Sequence, residues 1–270
     1  DKRSEAEKAL LLEIPALATL LNNLPDPIDM TAAIAAYDRI TRILALKLRR
    51  NWLDWLEAAP QPGSPKYSVK DAGIRRLRGL AAKTLALFED DAYRQQLLEK
   101  HNNADNMTVR INVLHALNTR HDQYREAALA AYYERYRAQP LVVDKWFAIQ
   151  AKDESEGALE RITALAEHPD FHVDNPNRFR ALVSTLMQQN PAVFHAEDGS
   201  GYRFAASQIR RILLSNPQVA ARMLNGYAIV SRMDSARKAL VKTELEALAA
   251  VENISIDVRE VLERLQRGLQ

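Results

Sequence analysis

The feature that most constrains the fold is a series of helix-start signals in the stretch Asn175–Phe204. Asn175 and Asn190 each precede a proline, and an asparagine side chain there can accept hydrogen bonds from the free backbone N–H groups of a helix's first turn. Pro176 and Pro191 suit the first helical position, where a missing N–H costs nothing. The sequence therefore predicts closely spaced helices joined by short turns.

Between the two starts, apolar residues fall at helical spacing and define one buried face: Phe179, Leu182, Val183 and Leu186. The glycine-containing stretch 198–201 then breaks the chain, and a helix resumes over residues 202–214. This turn requires glycine for its backbone geometry, so we interpret it as architectural. The same helix–turn–helix pattern continues along the whole chain.

Apolar periodicity predicts the other helices. They are expected at 4–23, 31–58, two within 69–101 divided near 89–91, 106–119, 122–137, 140–151, 155–167, 177–189, 217–230, 234–250 and 255–268. The predicted N-caps are Asp122, Asn216, Asp234 and Ser255. The residues expected to face inward in the first two helices include Leu10, Leu11, Ile14, Leu17, Leu20, Leu21, Ile34, Tyr37, Ile40, Ile43, Leu44, Leu48, Trp52 and Trp55.

Composition assigns the chain to the all-α class. Only 8 of its residues are glycine, 47% are hydrophobic, and runs of alternating β-branched residues are absent. Helix pairs recur at intervals of roughly 30 to 45 residues without a strict sequence repeat, which favours an α-α superhelix, an armadillo- or HEAT-like solenoid of stacked antiparallel pairs. A compact helical bundle is the alternative. We expect one domain over 1–270, with a possible sub-boundary in the proline-rich stretch 59–68.

Charge and cysteine content narrow the function classes. The 37 basic and 35 acidic residues give a net charge of +2, so nucleic acid is not an expected partner. We interpret the basic groups on two helices as solvated faces and interhelical ion pairs, although nucleic-acid binding by them would predict a steep salt dependence. These groups are Arg39, Arg42, Lys47, Arg49 and Arg50, and Arg75, Arg76, Arg78 and Lys83. The absence of cysteine excludes disulfides and thiolate metal sites.

Hydropathy and the first residues bear on where the chain is located and on whether it is part of a longer polypeptide. No apolar run approaches the roughly 20 residues that span a bilayer, so we expect no membrane partner. The lack of cysteine is compatible with a cytoplasmic location, which we expect. The chain begins with Asp1 rather than Met, and a helical pattern starts almost at once. A fragment of a longer polypeptide is therefore expected.

The sequence lacks the common catalytic motifs. It contains neither the His-Glu-x-x-His of helical zinc sites nor the Gly-x-Ser-x-Gly of nucleophile elbows. The nearest approach to metal-ligand spacing is His168-Pro-Asp-Phe-His172, which Pro169 makes a loop rather than a helical turn. His195 is interpreted as a helix-end residue with local hydrogen bonds. We therefore expect neither catalytic nor metal-binding residues in this chain, and no bound cofactor.

Five short segments, in the same order, carry a family resemblance. They are Asp105–Thr108, Leu141–Phe147, Asn175–Arg178, Phe194–Tyr202 and Asn216–Ala220. These segments closely resemble the C-terminal helical domain of bacterial aminopeptidase N, a family of gluzincin-type zinc metallopeptidases. The resemblance is firm from about residue 104 onward and weaker before it.

The resemblance implies a function as part of a larger enzyme. In the resembled family the helical domain caps the catalytic domain, closes a chamber over the zinc and admits short peptides. The resemblance therefore implies two partners, the catalytic domain of the same polypeptide and short peptide substrates. It also implies that the metal and the general base lie upstream and that this chain is inactive alone. The alternative is a free-standing helical-repeat scaffold that binds a protein or peptide in its groove, which a His-Glu-x-x-His sequence upstream of Asp1 would exclude.

The resemblance also suggests two substrate-binding residues. Gln218 and Arg222 are four apart at a helix start, so their side chains share a face. We expect Arg222 to offer a cation to the peptide's carbonyls or carboxylate, and Gln218 a neutral hydrogen-bonding group. An arginine on a solvated face is the alternative. Asn177, Arg178 and Arg180 lie in or next to a short Asn-Pro-Asn-Arg motif of the family. We interpret them as structural, with Arg178 paired to a nearby carboxylate.

Overall fold

The computed structural model describes residues 3–57, 68–88 and 90–270. The structure is 74% helical and the described residues contain no strand, so the predicted all-α class is confirmed. The helices are α1 Glu5–Leu12, α2 Leu17–Leu21, α3 Met30–Lys47, α4 Arg49–Glu57, α5 Val69–Leu85, α6 Asp91–Asn103, α7 Met107–Leu117, α8 Gln123–Tyr136, α9 Pro140–Gln150, α10 Ala158–Leu165, α11 Pro176–Phe179, α12 Thr185–Gln189, α13 Pro191–Phe194, α14 Ser200–Ile212, α15 Pro217–Leu224, α16 Ser235–Ala249 and α17 Ile256–Gly268.

One compact unit comprises residues 1–15 and 37–137. Here α5 packs against α1, α4 and α7, while α6, α7 and α8 contact one another. Most of these contacts join helices that are one or two places apart along the chain, as in stacked helix pairs, whereas α5 and α1 are four places apart. The core of this unit is formed by Leu77, Ala81, Leu97, Leu114, Leu117 and Tyr132.

The other compact unit comprises residues 16–36 and 138–270. Helix α14 packs against α10, α13, α15 and α16, and α17 covers α15 and α16. Residues 16–36 join this unit through a backbone bridge between Ile28 and Met233. The bridge is supported by Arg232, whose Nε donates to Asp26 Oδ1 at 2.7 Å. Its core includes the ring cluster of Phe194, Tyr202 and Tyr227, which is fully buried.

Most predicted helix starts are confirmed. The side chains of Asp122, Asn216, Asp234 and Ser255 all accept hydrogen bonds from backbone N–H groups of the turns that follow them. Asn175 and Asn190 do the same. These caps depend only on local sequence, which is why they are predictable.

The first two predicted helices are wrong in extent. The helix expected over 4–23 divides at residues 13–16, because Pro15 cannot donate the N–H that would continue the ladder. The helix expected over 31–58 divides at Leu48. Part of their predicted inward face is exposed: Leu10, Leu11, Ile40, Ile43 and Leu44. Periodicity identifies an apolar face but does not say whether a neighbour covers it.

Residues 58–67 lie outside the described residues. The predicted sub-boundary at 59–68 falls almost wholly on them. Both it and the prediction of one domain over 1–270 stay predictions.

Candidate functional site

The predicted substrate-binding pair lies on α15, in the unit that contains residues 138–270. Asn216 caps this helix, since its side chain accepts the backbone N–H of Val219 at 3.3 Å. Pro217 occupies the first turn. Gln218 and Arg222 follow with exposed side chains, one helical turn apart. The structure therefore brings the two predicted residues onto one accessible face.

The opposite face of α15 anchors it. Ala220, Met223 and Leu224 are buried, and the helix packs against α14, α17 and the 3₁₀ helix Asn225–Arg232. Packing of the buried face holds the backbone of Gln218 and Arg222 in a fixed position. The side chains of the pair can then reach outward from a rigid element.

The chemistry of the pair suits hydrogen bonding to a peptide. Among the residues that the structure describes, neither Gln218 nor Arg222 has a hydrogen-bonding or ion-pair partner for its side chain. The next turn ends at Asn225, whose Oδ1 accepts a hydrogen bond from Arg264. Arg222 thus offers five N–H donors in a planar fork, a geometry that matches carbonyl and carboxylate oxygens.

The side chains of the Asn-Pro-Asn-Arg motif have structural roles, as predicted. Arg178 is buried, and its Nε donates to Asp144 Oδ1 at 2.5 Å. Asn177 lies in the first turn of α11, where its Oδ1 accepts from Arg180 Nη2 at 2.6 Å. These side chains bind other groups of the protein, as a structural role requires.

The glycine turn before α14 is also architectural. Gly199 has φ of 70°, in the left-handed region that favours glycine. A Cβ at Gly201 would lie 2.4 Å from the carbonyl oxygen of Val193, so only glycine permits this approach of the two backbone segments. The prediction that this turn needs glycine is confirmed.

Two histidines, His195 and His168, pack against aromatic side chains. His195 lies at the end of α13, as predicted, and is buried with its Nδ1 2.8 Å from Tyr202 Oη. Burial, aided by the positive charge of Arg237, lowers the pKa of His195 to about 3, so the ring is neutral. His168 lies in the predicted loop, and its Nδ1 accepts the backbone N–H of Asp170 at 3.1 Å. Its ring packs 5.3 Å from that of Trp146.

In the described ranges no group of three or more His, Cys, Asp or Glu side chains is placed to hold a metal ion. None of the helices in the described part of the chain combines the length and the apolar character needed to cross a bilayer.

The unit that contains α15 has one feature that the sequence pattern does not predict. The helix predicted over 177–189 contains a π-helical segment, Arg180–Ser184, between α11 and α12. Leu182 and Val183 within it are buried, and the segment packs against α9. The apolar residues keep the spacing that favours an ordinary helix, so no local signal marks the wider turn.

Comparison with known proteins gives a consistent set of relatives. A family model described as a domain of unknown function with ARM repeats (DUF3458_C) matches residues 1–267, in agreement with the predicted solenoid class. Aminopeptidase N of Caulobacter vibrioides is 36% identical over 262 residues, which cover 97% of this chain and 30% of the relative. Aminopeptidase N of Escherichia coli is 33% identical over 271 residues, covering 95% of this chain and 31% of the relative.

A solved structure is similar to this chain in fold as well as in sequence. The crystal structure of Legionella pneumophila aminopeptidase A in complex with aspartic acid matches with a TM-score of 0.88 and 27% identity. The match covers 99% of this chain and 32% of that chain. This chain therefore spans about three-tenths of the length of the relatives that it matches.

Proposed function

This chain belongs to the DUF3458_C family of ARM-repeat domains and is similar to the C-terminal part of aminopeptidase N, and we propose that it is the non-catalytic helical portion of a zinc aminopeptidase. The parent reaction is the removal of N-terminal residues from short peptides. The zinc and the general base belong to the polypeptide outside this chain. We place the protein in the cytoplasm, bound to neither membrane nor nucleic acid.

The proposed role of the helices is to cap the chamber over the metal. A wall of stacked helices admits short peptides, excludes folded chains and confines the substrate in a partly desolvated space. The support is indirect: the relatives are aminopeptidases about three times the length of the matched region, and this sequence carries no His-Glu-x-x-His. The partner in this proposal is the catalytic domain of the same polypeptide.

Within this role, Arg222 positions the peptide beyond the scissile bond, and Gln218 adds a neutral hydrogen bond. The observation that carries this assignment is an exposed guanidinium without a protein partner in the described structure, on a helix anchored by buried Met223 and Leu224. A hydrogen bond to a charged group contributes about 1.5–3 kcal/mol, less where solvent competes.

The test is Arg222→Ala in the complete polypeptide, assayed on an aminoacyl arylamide and on peptides of two to six residues. We expect kcat/KM for the longer peptides to fall about tenfold, which corresponds to roughly 1.4 kcal/mol. The arylamide has no residues beyond the scissile bond, so its kinetics should not change.

Arg259→Ala is the matched control, because Arg259 is exposed on α17 and has no side-chain partner in the described residues. It should leave all substrates unaffected. Unchanged kinetics of Arg222→Ala for every peptide would refute the positioning role. The alternative is a free-standing scaffold. That alternative requires that the polypeptide containing this chain has no His-Glu-x-x-His segment.

A further inference from the structure

A small cavity lies within the unit that contains residues 37–137, among α4, α5, α6 and α7. Its volume is about 40 Å³, and its apolar lining includes Leu56, Leu97, Val109 and Val113. A single water needs roughly 10–15 Å³ on this measure, so the cavity holds a group of about three heavy atoms. That is the size of one carboxylate.

Three cationic side chains also line this cavity: Arg75, Arg78 and Lys100. All three are partly buried, and none of them has a carboxylate within ion-pair distance in the described part of the chain. Their charged groups also have no hydrogen-bond acceptor among the described residues. Other arginines of this unit, such as Arg42 and Arg120, do form ion pairs.

The surroundings of two of these cations disfavour their charged forms. Burial lowers the pKa of Arg78. Burial also lowers the pKa of Lys100, the nearby charge of Arg78 lowers it further, and Glu57 opposes these effects only in part. Partly buried like charges without counter-ions destabilise a fold unless something neutralises them.

The close packing of α5 on α7 keeps the wall of the cavity in place. A Cβ at Gly79 would lie 2.4 Å from Asn112 Nδ2, so the glycine lets the two helices approach. Asn112 Nδ2 in turn donates to the backbone carbonyl of Arg75 at 3.3 Å, which fixes the asparagine against α5. Both residues line the cavity, so the hydrogen bond of Asn112 and the close approach at Gly79 help to fix this part of its wall.

We propose that this cavity binds the carboxylate group of a ligand, with Arg75, Arg78 and Lys100 holding the carboxylate and the rest of the ligand lying outside the cavity. The ligand supplies a carboxylate in direct contact with these cations, whereas Glu57 acts on Lys100 only from beyond ion-pair distance. The carboxylate can belong to a free small acid or to a glutamate side chain of a peptide. The site is independent of the role proposed for Arg222, which lies in the other unit.

The experiment is calorimetric titration of this chain at low ionic strength with two matched pairs of probes. Butyrate is compared with butyramide, and N-acetyl-Ala-Glu-Ala-amide with its glutamine counterpart. We expect an acid of at least one pair to bind and its neutral partner not to bind. Binding of butyrate identifies a free acid as sufficient, and binding of the glutamyl peptide alone identifies a peptide side chain as the source.

Variants separate this cavity from general surface charge. Arg78→Gln and Lys100→Gln should each weaken the binding about tenfold, since each removes one charged hydrogen-bond donor. Lys83→Gln is the control, because Lys83 is exposed on the same helix α5 and lies outside the cavity lining. Binding by neither acid, or binding that Arg78→Gln and Lys100→Gln leave unchanged, overturns the proposal.

A measurement on the wild-type chain covers the case in which a variant fails to fold. In a ¹H–¹⁵N spectrum of the arginine Nε–H groups, the acid should shift the signals of Arg75 and Arg78. The signal of Arg50, exposed on α4 and outside the lining, should stay in place. Shifts of Arg50 equal to those of Arg78 would also overturn the proposal.

Discussion

Replacement of Arg178 by methionine removes a buried cation that joins several segments. Its Nε donates to Asp144 Oδ1 at 2.5 Å, Nη1 donates to the carbonyl of Asp170, and Nη2 donates to the carbonyl of Pro140 at 3.3 Å. The guanidinium also lies 4.8 Å from the ring centroid of Phe147. Methionine retains much of the apolar stem, so the variant tests the charge and its hydrogen bonds rather than packing volume.

The expected loss in the free energy of unfolding follows from the burial of the Arg178–Asp144 ion pair. Removing one partner of a buried ion pair costs about 3–5 kcal/mol, because the remaining charge is left without compensation. The Arg178 side chain is 5% exposed and that of Asp144 is 15% exposed, so water relieves part of the cost. We therefore expect a loss near the lower end, about 3 kcal/mol. With a urea dependence of roughly 1–3 kcal/mol per molar, the unfolding midpoint falls by about 1–3 M.

The assay is urea unfolding followed by fluorescence of Trp146, which lies on α9 beside Phe147. The other two tryptophans, Trp52 and Trp55, belong to the other unit and are replaced by phenylalanine in the reference protein. This gives a signal from the unit that contains Arg178.

Arg180→Met is the matched control. Its guanidinium donates to the carbonyl of Pro176 at 3.0 Å and to Asn177, both within its own turn, and the contacts are exposed. Loss of an exposed interaction of this kind costs about 1 kcal/mol or less. Equal losses for Arg178→Met and Arg180→Met, or a loss below 1 kcal/mol for Arg178→Met, would refute the structural role of Arg178.

Two further predictions concern the same unit. The pKa of His195 is about 3 when folded, below the ordinary 6.5, so the unfolded chain binds a proton between these values that the folded chain does not. Stability should therefore fall as the pH decreases below 6.5, by about 2–3 kcal/mol from this group at pH 4.5. Urea unfolding of His195→Gln should show a correspondingly smaller loss between pH 7 and pH 4.5, and an unchanged pH dependence would contradict the prediction. Gly201→Ala places a Cβ 2.4 Å from a fixed carbonyl, so thermal unfolding should show a loss of about 1–3 kcal/mol, whereas a neutral effect would show that the two segments can separate.

The local features were predictable from sequence because their causes are local. Asn216 caps α15 through a bond to Val219 three residues away, and Gly199 adopts a positive φ within its own turn. The sequence also indicated that Arg178 pairs with a carboxylate. It did not identify Asp144, because that residue lies 34 positions away and the pairing depends on how α9 packs.

Longer-range features were not predictable. Leu10 and Leu11 have the same apolar character as buried leucines, yet they are exposed because no described element covers them. Arg78 was assigned to a solvated basic face, and Lys100 was not singled out. Their convergence on one cavity requires the relative placement of α5 and α6. Periodicity along a helix carries no information about that placement.

The proposal that this chain is the helical and catalytically inactive portion of a zinc aminopeptidase can be tested with an assay for aminopeptidase activity. The measurement is the hydrolysis of an alanyl arylamide by the purified 270-residue chain in the presence of zinc, over a series of protein concentrations. From this proposal we expect a rate equal to that of buffer at every concentration. A rate that rises in proportion to the amount of this chain and is abolished by a chelator would contradict it.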